Sequence, residues 1–212
     1  MKTTKHPAKR EADIEESQGR HVTHPQPDKS SLRESRHLRP NLLISFRTGF
    51  GNDLHRLVVG RKLVLGGVKI PFTKGPAGHS DGDALAHAIC DALLGAAGLG
   101  DIGRHFPNTS PKWRGVSSLI FLRHVHDLLR GAGYAIVNVD STVGLERPRL
   151  SPYIPRMRKK LAEALGLNPG QVSVKAKTGE GVDALGRGEA VRADAVALIV
   201  ESQESKVKKS KR

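Results

Sequence analysis

The spacing of hydrophobic and polar positions changes several times between Leu42 and Ser202, and the changes predict alternating strands and helices. Leu42 to Gly51 and Lys62 to Ile70 read as strands; the second ends at Pro71 and is interrupted by Gly66 and Gly67, which predicts a bulge or a turn. From Asp83 to Leu99 the period becomes helical, with Ala84, Leu85, Ala88, Ile89, Ala92 and Leu93 at helical spacing and Gly98 and Gly100 as a stop. Val116 to Leu129 forms a second amphipathic pattern closed by Gly131 and Gly133, and Ala135 to Leu145 reads as a strand. Pro152 opens a third helix that reaches Leu165, with regular helix confined to the residues after Pro155. Val172 to Lys177 and Ala190 to Glu201 read as closing strands. The alternation predicts the α/β (α+β) class: a single domain whose mixed β-sheet carries helices on one face.

Outside this patterned middle the composition shifts. Residues 1–41 are rich in Lys, Arg, Glu, Ser, His and Pro with scattered apolar positions, too few to offset the entropy of ordering, so they read as a disordered basic and polar extension. The domain is expected to span 42–202, followed by a Lys-rich tail at 203–212. The formal net charge of +14 suggests a nucleic-acid or anionic partner, but the extension contributes +3 and the last eight residues +5, which leaves +6 for the middle. Neither basic cluster is interleaved with aromatic residues, so platforms for stacking bases are missing and a nucleic-acid partner is not expected. The single cysteine, Cys90, sits in an apolar helix, which argues against a disulfide framework and a thiolate-rich metal site and points to a reducing compartment. No apolar run approaches the roughly 18 residues of a membrane span, and the N-terminus lacks a signal-peptide core. A cytoplasmic location is therefore expected; the acidic cluster of Glu11, Asp13, Glu15 and Glu16 disfavours an organellar transit peptide.

Candidate chemistry is concentrated in three places. Asp53 and His55 lie two apart near the end of the first expected strand, so both side chains leave one face of an extended segment and can grip one ion. His87, one helical turn after Asp83, would be the third ligand. Two imidazoles and one carboxylate with an open fourth position is the pattern of catalytic rather than structural zinc. Taken alone, these residues also read as ordinary polar positions on a strand end and a helix, and a lone helical histidine is more often structural than a ligand. In the second place, His79 and Ser80 precede a helix N-terminus, where free backbone N–H groups favour an anion such as phosphate. Ser80, Asp81 and Asp83 are also good helix caps, and the two readings are compatible. In the third, Lys177, Thr178 and Glu180 close a strand ahead of Gly186-Arg-Gly-Glu189. Lysine, hydroxyl and backbone amides suit phosphate, and a carboxylate in such company suits a hard cation such as Mg2+. The Gly-Lys-Ser/Thr ending of a P-loop is absent.

Taken in order, Gly51-Asn-Asp-Leu-His-Arg-Leu57, Leu65-Gly-Gly-Val-Lys-Ile-Pro71, His79-Ser-Asp-Gly-Asp83 with His87, Asp91-Ala-Leu-Leu-Gly-Ala-Ala97, Gly100-Asp-Ile-Gly103, Phe106-Pro107, Ile154-Pro-Arg-Met-Arg158 and Gly186-Arg-Gly-Glu189 resemble the 2-C-methyl-D-erythritol 2,4-cyclodiphosphate synthase family of the non-mevalonate isoprenoid route. The resemblance covers about residues 46–201. It implies a homotrimer with active sites between neighbouring subunits. It also implies conversion of 4-diphosphocytidyl-2-C-methyl-D-erythritol 2-phosphate to the cyclic diphosphate, by attack of the 2-phosphate on the β-phosphorus with release of CMP. The implied cofactors are one Zn2+ per subunit and Mg2+ or Mn2+, and the implied setting is the bacterial cytoplasm. A diverged metal-dependent phosphohydrolase or a binding protein on the same fold is the alternative.

Residue by residue, the resemblance implies that Asp53, His55 and His87 bind zinc, and that His79 and Thr178 stabilise the transition state. Ser80 would join His79 on substrate phosphate, and Glu180 would hold the second divalent ion. Leu54, Asp101, Ile102 and Gly103 match substrate-lining positions, as do Phe106, Pro107, Asn108, Thr109 and Ser110. Leu145, Glu146, Arg147, Pro148, Arg149, Leu150 and Ser151 correspond to the loop that receives cytosine, mainly through its backbone. Lys177, Gly179, Ala184 and Arg187 complete the implied substrate contacts. Two departures stand out: Asn108 and Ser110 replace carboxylates of many members, and Val182-Asp-Ala-Leu185 lacks an aromatic residue often found there.

Overall fold

A computed structural model describes residues 45–202, so the expected extension at 1–41 and tail at 203–212 lie outside the described residues, as do Leu42 to Ile44. The chain runs β1 (Phe46–Val59), β2 (Leu63–Leu65), β3 (Val68–Ile70), β4 (Lys74–Pro76), α1 (Ala84–Ala97), α2 (Ile102–His105), α3 (Ser118–Gly131), β5 (Tyr134–Gly144), α4 (Ile154–Leu165), β6 (Val172–Lys177), α5 (Asp183–Gly186) and β7 (Ala190–Glu201). Short 3-10 turns lie at Pro111–Trp113 and Pro169–Gln171.

Five strands form one sheet in the order β4-β1-β7-β5-β6. It is mixed, as expected: β5 and β6 run parallel, while β1 is antiparallel to β4 and β7, and β7 to β5. The helices α1, α3 and α4 pack on one face of this sheet. Along β1 the two faces separate cleanly. Gly49, Gly51, Asp53, His55 and Leu57 turn toward the helices, and Phe46, Thr48, Phe50, Asn52, Leu54 and Arg56 turn away. On that outer face Phe50 and Leu54 remain 60% and 62% exposed, so nothing in the described chain covers it.

The first strand is longer than its sequence pattern suggests. The expected end at Gly51 is wrong: pairing with β7 continues unbroken from Phe46↔Val200 to Arg56↔Ala190, and Asp53 and His55 sit in the body of the strand. The two glycines serve close approach instead of termination. A Cβ on Gly49 would lie 2.0 Å from the Ala92 carbonyl oxygen, and one on Gly51 2.2 Å from that of Ala88. The α1 backbone therefore rests directly on the strand, with only small side chains at its contact positions. Lys62 to Ile70, expected as one interrupted strand, is the hairpin β2–β3, with Gly66 and Gly67 both at positive φ in a two-residue turn. The three-residue β4 has no counterpart among the expected elements; so short a strand shows no period of its own.

Helix α1 is apolar on nearly all sides because it is enclosed between the sheet and α3, and its residues from Ala84 to Ala97 form the centre of the core. Its start is set by Asp83, whose carboxylate accepts from the Ala86 N–H, and its end by Gly98 at positive φ. The same buried carboxylate accepts from the Gly66 and Gly67 N–H groups, which ties the β2–β3 turn to the helix. Helices α3 and α4 bury only one stripe each: Phe121, Leu122, Val125 and Leu129, and Met157, Leu161 and Leu165. Full burial of one such large side chain stabilises the fold by about 1.5–3 kcal/mol.

Candidate active site

The close contact of α1 with β1 brings together three side chains that are far apart in sequence. Asp53 Oδ2 lies 2.8 Å from both His55 Nε2 and His87 Nδ1, and the two ring nitrogens are 3.4 Å apart. Four-coordinate zinc with ligands at 2.0–2.1 Å separates its donors by roughly 3.3 Å, so this triangle fits one divalent metal ion after shifts of a few tenths of an ångström. The side chains are 13–23% exposed, which leaves one side of the triangle open. Burial pushes the Asp53 carboxyl up, but hydrogen bonds with His55 and His87 and attraction to both rings outweigh it and hold the group well below the usual carboxylate range. The hydrogen bond with Asp53 raises His55 above its ordinary value, against the opposing pull of burial.

The triangle opens into a cavity of about 500 Å3 lined by His79, Ser80, Ile102, Gly103, Pro107, Asn108 and Thr109 as well as by His55 and His87. One wall is aromatic. Phe106 stacks on Phe121 with ring centroids 4.4 Å apart, and Trp113 meets both edge-on. His79 Nε2 lies 3.2 Å from the Ser110 carbonyl oxygen. The Ser80 hydroxyl turns inward, 3.2 Å from His87 Nε2, and accepts from the Gly82 N–H. Asp83 and not Ser80 caps α1, while Asp81 accepts from the Ser118 N–H at the start of α3, so the three candidate caps have separate tasks.

A second cavity, of about 560 Å3, lies at the ends of β5 and β6 and is lined by Leu145, Glu146, Arg147, Pro148, Arg149, Leu150 and Ser151 together with Lys177 and Thr178. Glu146 accepts from the Gly179 N–H and Glu180 from the Thr178 hydroxyl. Glu180 holds a positive φ of 51°, uncommon for a side chain of its kind. Leu54, Arg192, Gly144 and Lys177 form one row across β1, β7, β5 and β6. Three strand spacings therefore separate the two groups of candidate residues, roughly 14 Å. Within one chain they do not meet. Leu54 points to the outer face, the Asp101 carboxylate accepts from the Arg104 N–H at the start of α2, and Arg187, beyond Ala184, pairs with Glu189.

Several site residues have no counterpart among the sequence candidates. Trp113 and Phe121 line the cavity, although no motif singles them out. Arg61 donates to the carbonyl oxygens of Pro76, Gly78 and Ser80 and so holds the loop that carries His79. Ser118 is fully buried, with its hydroxyl 2.8 Å from His87 Nε2. Ser118 falls within the expected second helix, and its reach to a histidine 31 residues away does not show in sequence.

A metal-sized triangle beside an aromatic-walled cavity is the arrangement of an α/β enzyme that could hold a metal ion. Residues 46–200 match the YgbB family, and the chain belongs to that family. A curated relative, the 2-C-methyl-D-erythritol 2,4-cyclodiphosphate synthase of Pelotomaculum thermopropionicum, is 58% identical over 153 residues, which are 72% of this chain and 94% of that protein. Among solved structures, the bifunctional IspDF of Campylobacter jejuni superposes with a TM-score of 0.72 at 37% identity, over 74% of this chain and 43% of that one. The IspF of Plasmodium falciparum in complex with CDP gives a TM-score of 0.66 at 35% identity, over 75% of this chain and 98% of the other.

Proposed function

We propose that this chain converts 4-diphosphocytidyl-2-C-methyl-D-erythritol 2-phosphate to 2-C-methyl-D-erythritol 2,4-cyclodiphosphate and CMP in the non-mevalonate isoprenoid route. It is a cyclodiphosphate synthase, a lyase of isoprenoid biosynthesis, as the names of its curated relatives support. The observation that carries the reading is the convergence of Asp53 Oδ2, His55 Nε2 and His87 Nδ1 beside His79 and Ser80 in one cavity. The diverged phosphohydrolase or binding-protein alternative is not favoured by identities of 58% and 59% with synthases.

The reaction needs no nucleophile from the protein. An oxygen of the 2-phosphate bonds to the β-phosphorus, the bond from that phosphorus to the bridging oxygen breaks, and its electron pair leaves with CMP. What the protein must supply is position and charge neutralisation between anionic phosphates that repel one another. Asp53, His55 and His87 would hold the metal, and their two imidazoles and one carboxylate suit zinc. Bound there, the ion supplies Lewis-acid polarisation of phosphate oxygens. His79 and Ser80 hold phosphate beside it, and Ile102, Gly103, Phe106, Pro107, Asn108 and Thr109 enclose the erythritol portion. Asp101 and Ser110 hold the segments at the two ends of this wall, and the Ser110 carbonyl orients His79.

Leu145 to Ser151 receive cytosine, and a solved relative with CDP bound supports a nucleotide subsite. Lys177, Thr178 and Gly179 meet the diphosphate, Glu180 holds Mg2+ or Mn2+, and Ala184 and Arg187 flank this strand end. Because this group lies roughly 14 Å from the metal triangle, we assign the complete site to two subunits of a homotrimer. The uncovered apolar face with Phe46, Phe50, Leu54 and Val196 is the natural contact surface. Among the described residues no helix is long and apolar enough to cross a membrane. The proposed setting is the bacterial cytoplasm, in keeping with the bacterial sources of the curated relatives. The proposed catalytic domain spans 42–202.

The deciding experiment incubates the purified chain with the cytidylyl substrate, with and without a chelator, and follows products by phosphorus NMR. A cyclic diphosphate with stoichiometric CMP, lost on chelation, is the expected result; linear phosphates or no turnover in the metal-loaded protein would overturn the reading.

A further inference from the structure

On the Nε2 side of its ring, His87 is held by a second set of groups. Its Nδ1 faces Asp53, and its Nε2 lies 2.8 Å from the Ser118 hydroxyl. Ser118 is fully buried at the start of α3. Its hydroxyl donates to Asp81 Oδ1, and its backbone N–H donates to Asp81 Oδ2 at 3.1 Å. The same corner is stitched by backbone bonds from the Asp81 N–H to the Val116 carbonyl and from the Gly115 N–H to the His79 carbonyl.

The hydrogen-bond inventory dictates the direction of this chain. An ionised carboxylate only accepts, so the single Ser118 hydroxyl proton is committed to Asp81. What Ser118 offers His87 is therefore a lone pair, and Nε2 must carry the proton that meets it. An ion bound between His87, Asp53 and His55 would displace the Nδ1 proton that otherwise meets Asp53 Oδ2, and the Nδ1 lone pair would face it while Nε2 keeps its proton. Ser80, 3.2 Å from the same Nε2, accepts from the Gly82 N–H and can turn its own proton to the Ser118 oxygen 3.5 Å away, which leaves it a lone pair for Nε2.

We propose that Ser118 and Asp81 form a positioning pair that fixes the ring orientation and tautomer of His87 and raises its strength as a metal ligand. Neither residue touches the metal or the substrate; both act through His87. The inference rests on the reading of Asp53, His55 and His87 as the metal ligands. Outer partners of this kind typically change metal affinity 10- to 100-fold when removed.

The test measures zinc affinity by competition with a chromophoric chelator, in the full chain and in Ser118→Ala and Asp81→Asn variants. Wild type should bind one zinc per subunit, Ser118→Ala about 10- to 100-fold more weakly, and Asp81→Asn with a smaller loss in the same direction. Absence of zinc binding by wild type would sink the ligand assignment itself; wild-type binding with undiminished affinity in both variants would sink only the positioning pair. If Ser118→Ala does not fold, Asp81→Asn and nitrogen-15 NMR of zinc-loaded wild type decide. The expected spectrum has a His87 Nε2–H protected from exchange with water, a signature that a purely structural serine would not require. A rapidly exchanging or missing Nε2–H would overturn the proposal.

Discussion

The two cavities of this protein are built to different degrees. Around Asp53, His55 and His87 the donor atoms already lie 2.8–3.4 Å apart, and the side chains are no more than 23% exposed. Helix and strand backbones there touch through glycine and alanine, and His87 is held at Nε2 by Ser118. At the ends of β5 and β6, Lys177, Thr178 and Glu180 are exposed, and Thr178 and Glu180 bond to each other. The metal half is thus preorganised by the core of a single chain. The strand-end half is more exposed, with Glu146 holding the Gly179 N–H and Thr178 holding Glu180, which suits a surface completed by a neighbouring subunit. Rigid support of the first group is worth most where charge is concentrated, because a misplaced ligand loses both the ion and the phosphate that it neutralises.

The strongest way to break this contrast is to remove a ligand. His87→Ala should abolish CMP release, by at least about 10^3-fold, because an ion supplies several kcal/mol of charge stabilisation, while the assembly measured by light scattering survives. Retained turnover in the metal-depleted variant would sink the assignment of that ligand. At the other cavity, Glu180→Ala should lower kcat by roughly 10- to 100-fold at saturating Mg2+. Because the residue is exposed, its thermal midpoint and zinc content should match wild type; loss of zinc here would show the two halves to be one.

The packing that preorganises the metal half can be probed from beneath. Gly51→Ala places a methyl 2.2 Å from the Ala88 carbonyl oxygen, so α1 must move and His87 with it. A cost of about 1–3 kcal/mol in denaturant unfolding is expected, together with weaker zinc binding. Gly95, in the same helix, is exposed with nothing within 4 Å of its missing Cβ. Gly95→Ala should therefore stabilise the protein by about 0.5–1 kcal/mol and leave zinc affinity alone.

Protons sharpen the comparison most gently. Asp53 is depressed below its ordinary 3.8, so its contribution to metal-free stability is present above that value and is lost as pH falls through the lower native one. His55 is raised above 6.5, so its contribution is present below 6.5 and is lost as pH rises through the higher native value. For this pair metal-free stability should be greatest between about pH 4 and 6.5. Zinc must displace the proton that His55 retains, so affinity should fall as pH drops through that raised value. Flat zinc affinity from pH 8 to 6 would exclude His55 as a ligand.

Much of this arrangement is legible in the amino-acid sequence alone. The strands Val172–Lys177 and Ala190–Glu201 keep their expected bounds, α1 runs from its Asp83 cap to Gly98, and α4 ends before Gly166 but opens at Ile154, with Pro155 inside its first turn where a proline is tolerated. Asp53 and His55 share a face because side chains two apart in a strand must do so. The error at Gly51 has a physical cause. In sequence a glycine marks a break, a turn or a close approach with the same letter, and only the helix lying against it tells which. Nor could β4 be read, since three residues carry no period. Ser118 falls inside the expected helix Val116 to Leu129, and nothing in its spacing shows that it meets Asp81 and His87.

By itself the sequence determined the residue types, the periods of the elements and the faces on which side chains share a strand or a helix, since these depend on repeats of two and 3.6 residues. Only the tertiary structure decided that His87 meets Asp53 across 34 residues, that Ser118 meets its Nε2, and that Lys177 to Glu180 lie strands away from both. Such meetings depend on how closely one backbone can approach another, and that distance is set by packing in three dimensions, not by local spacing along the chain.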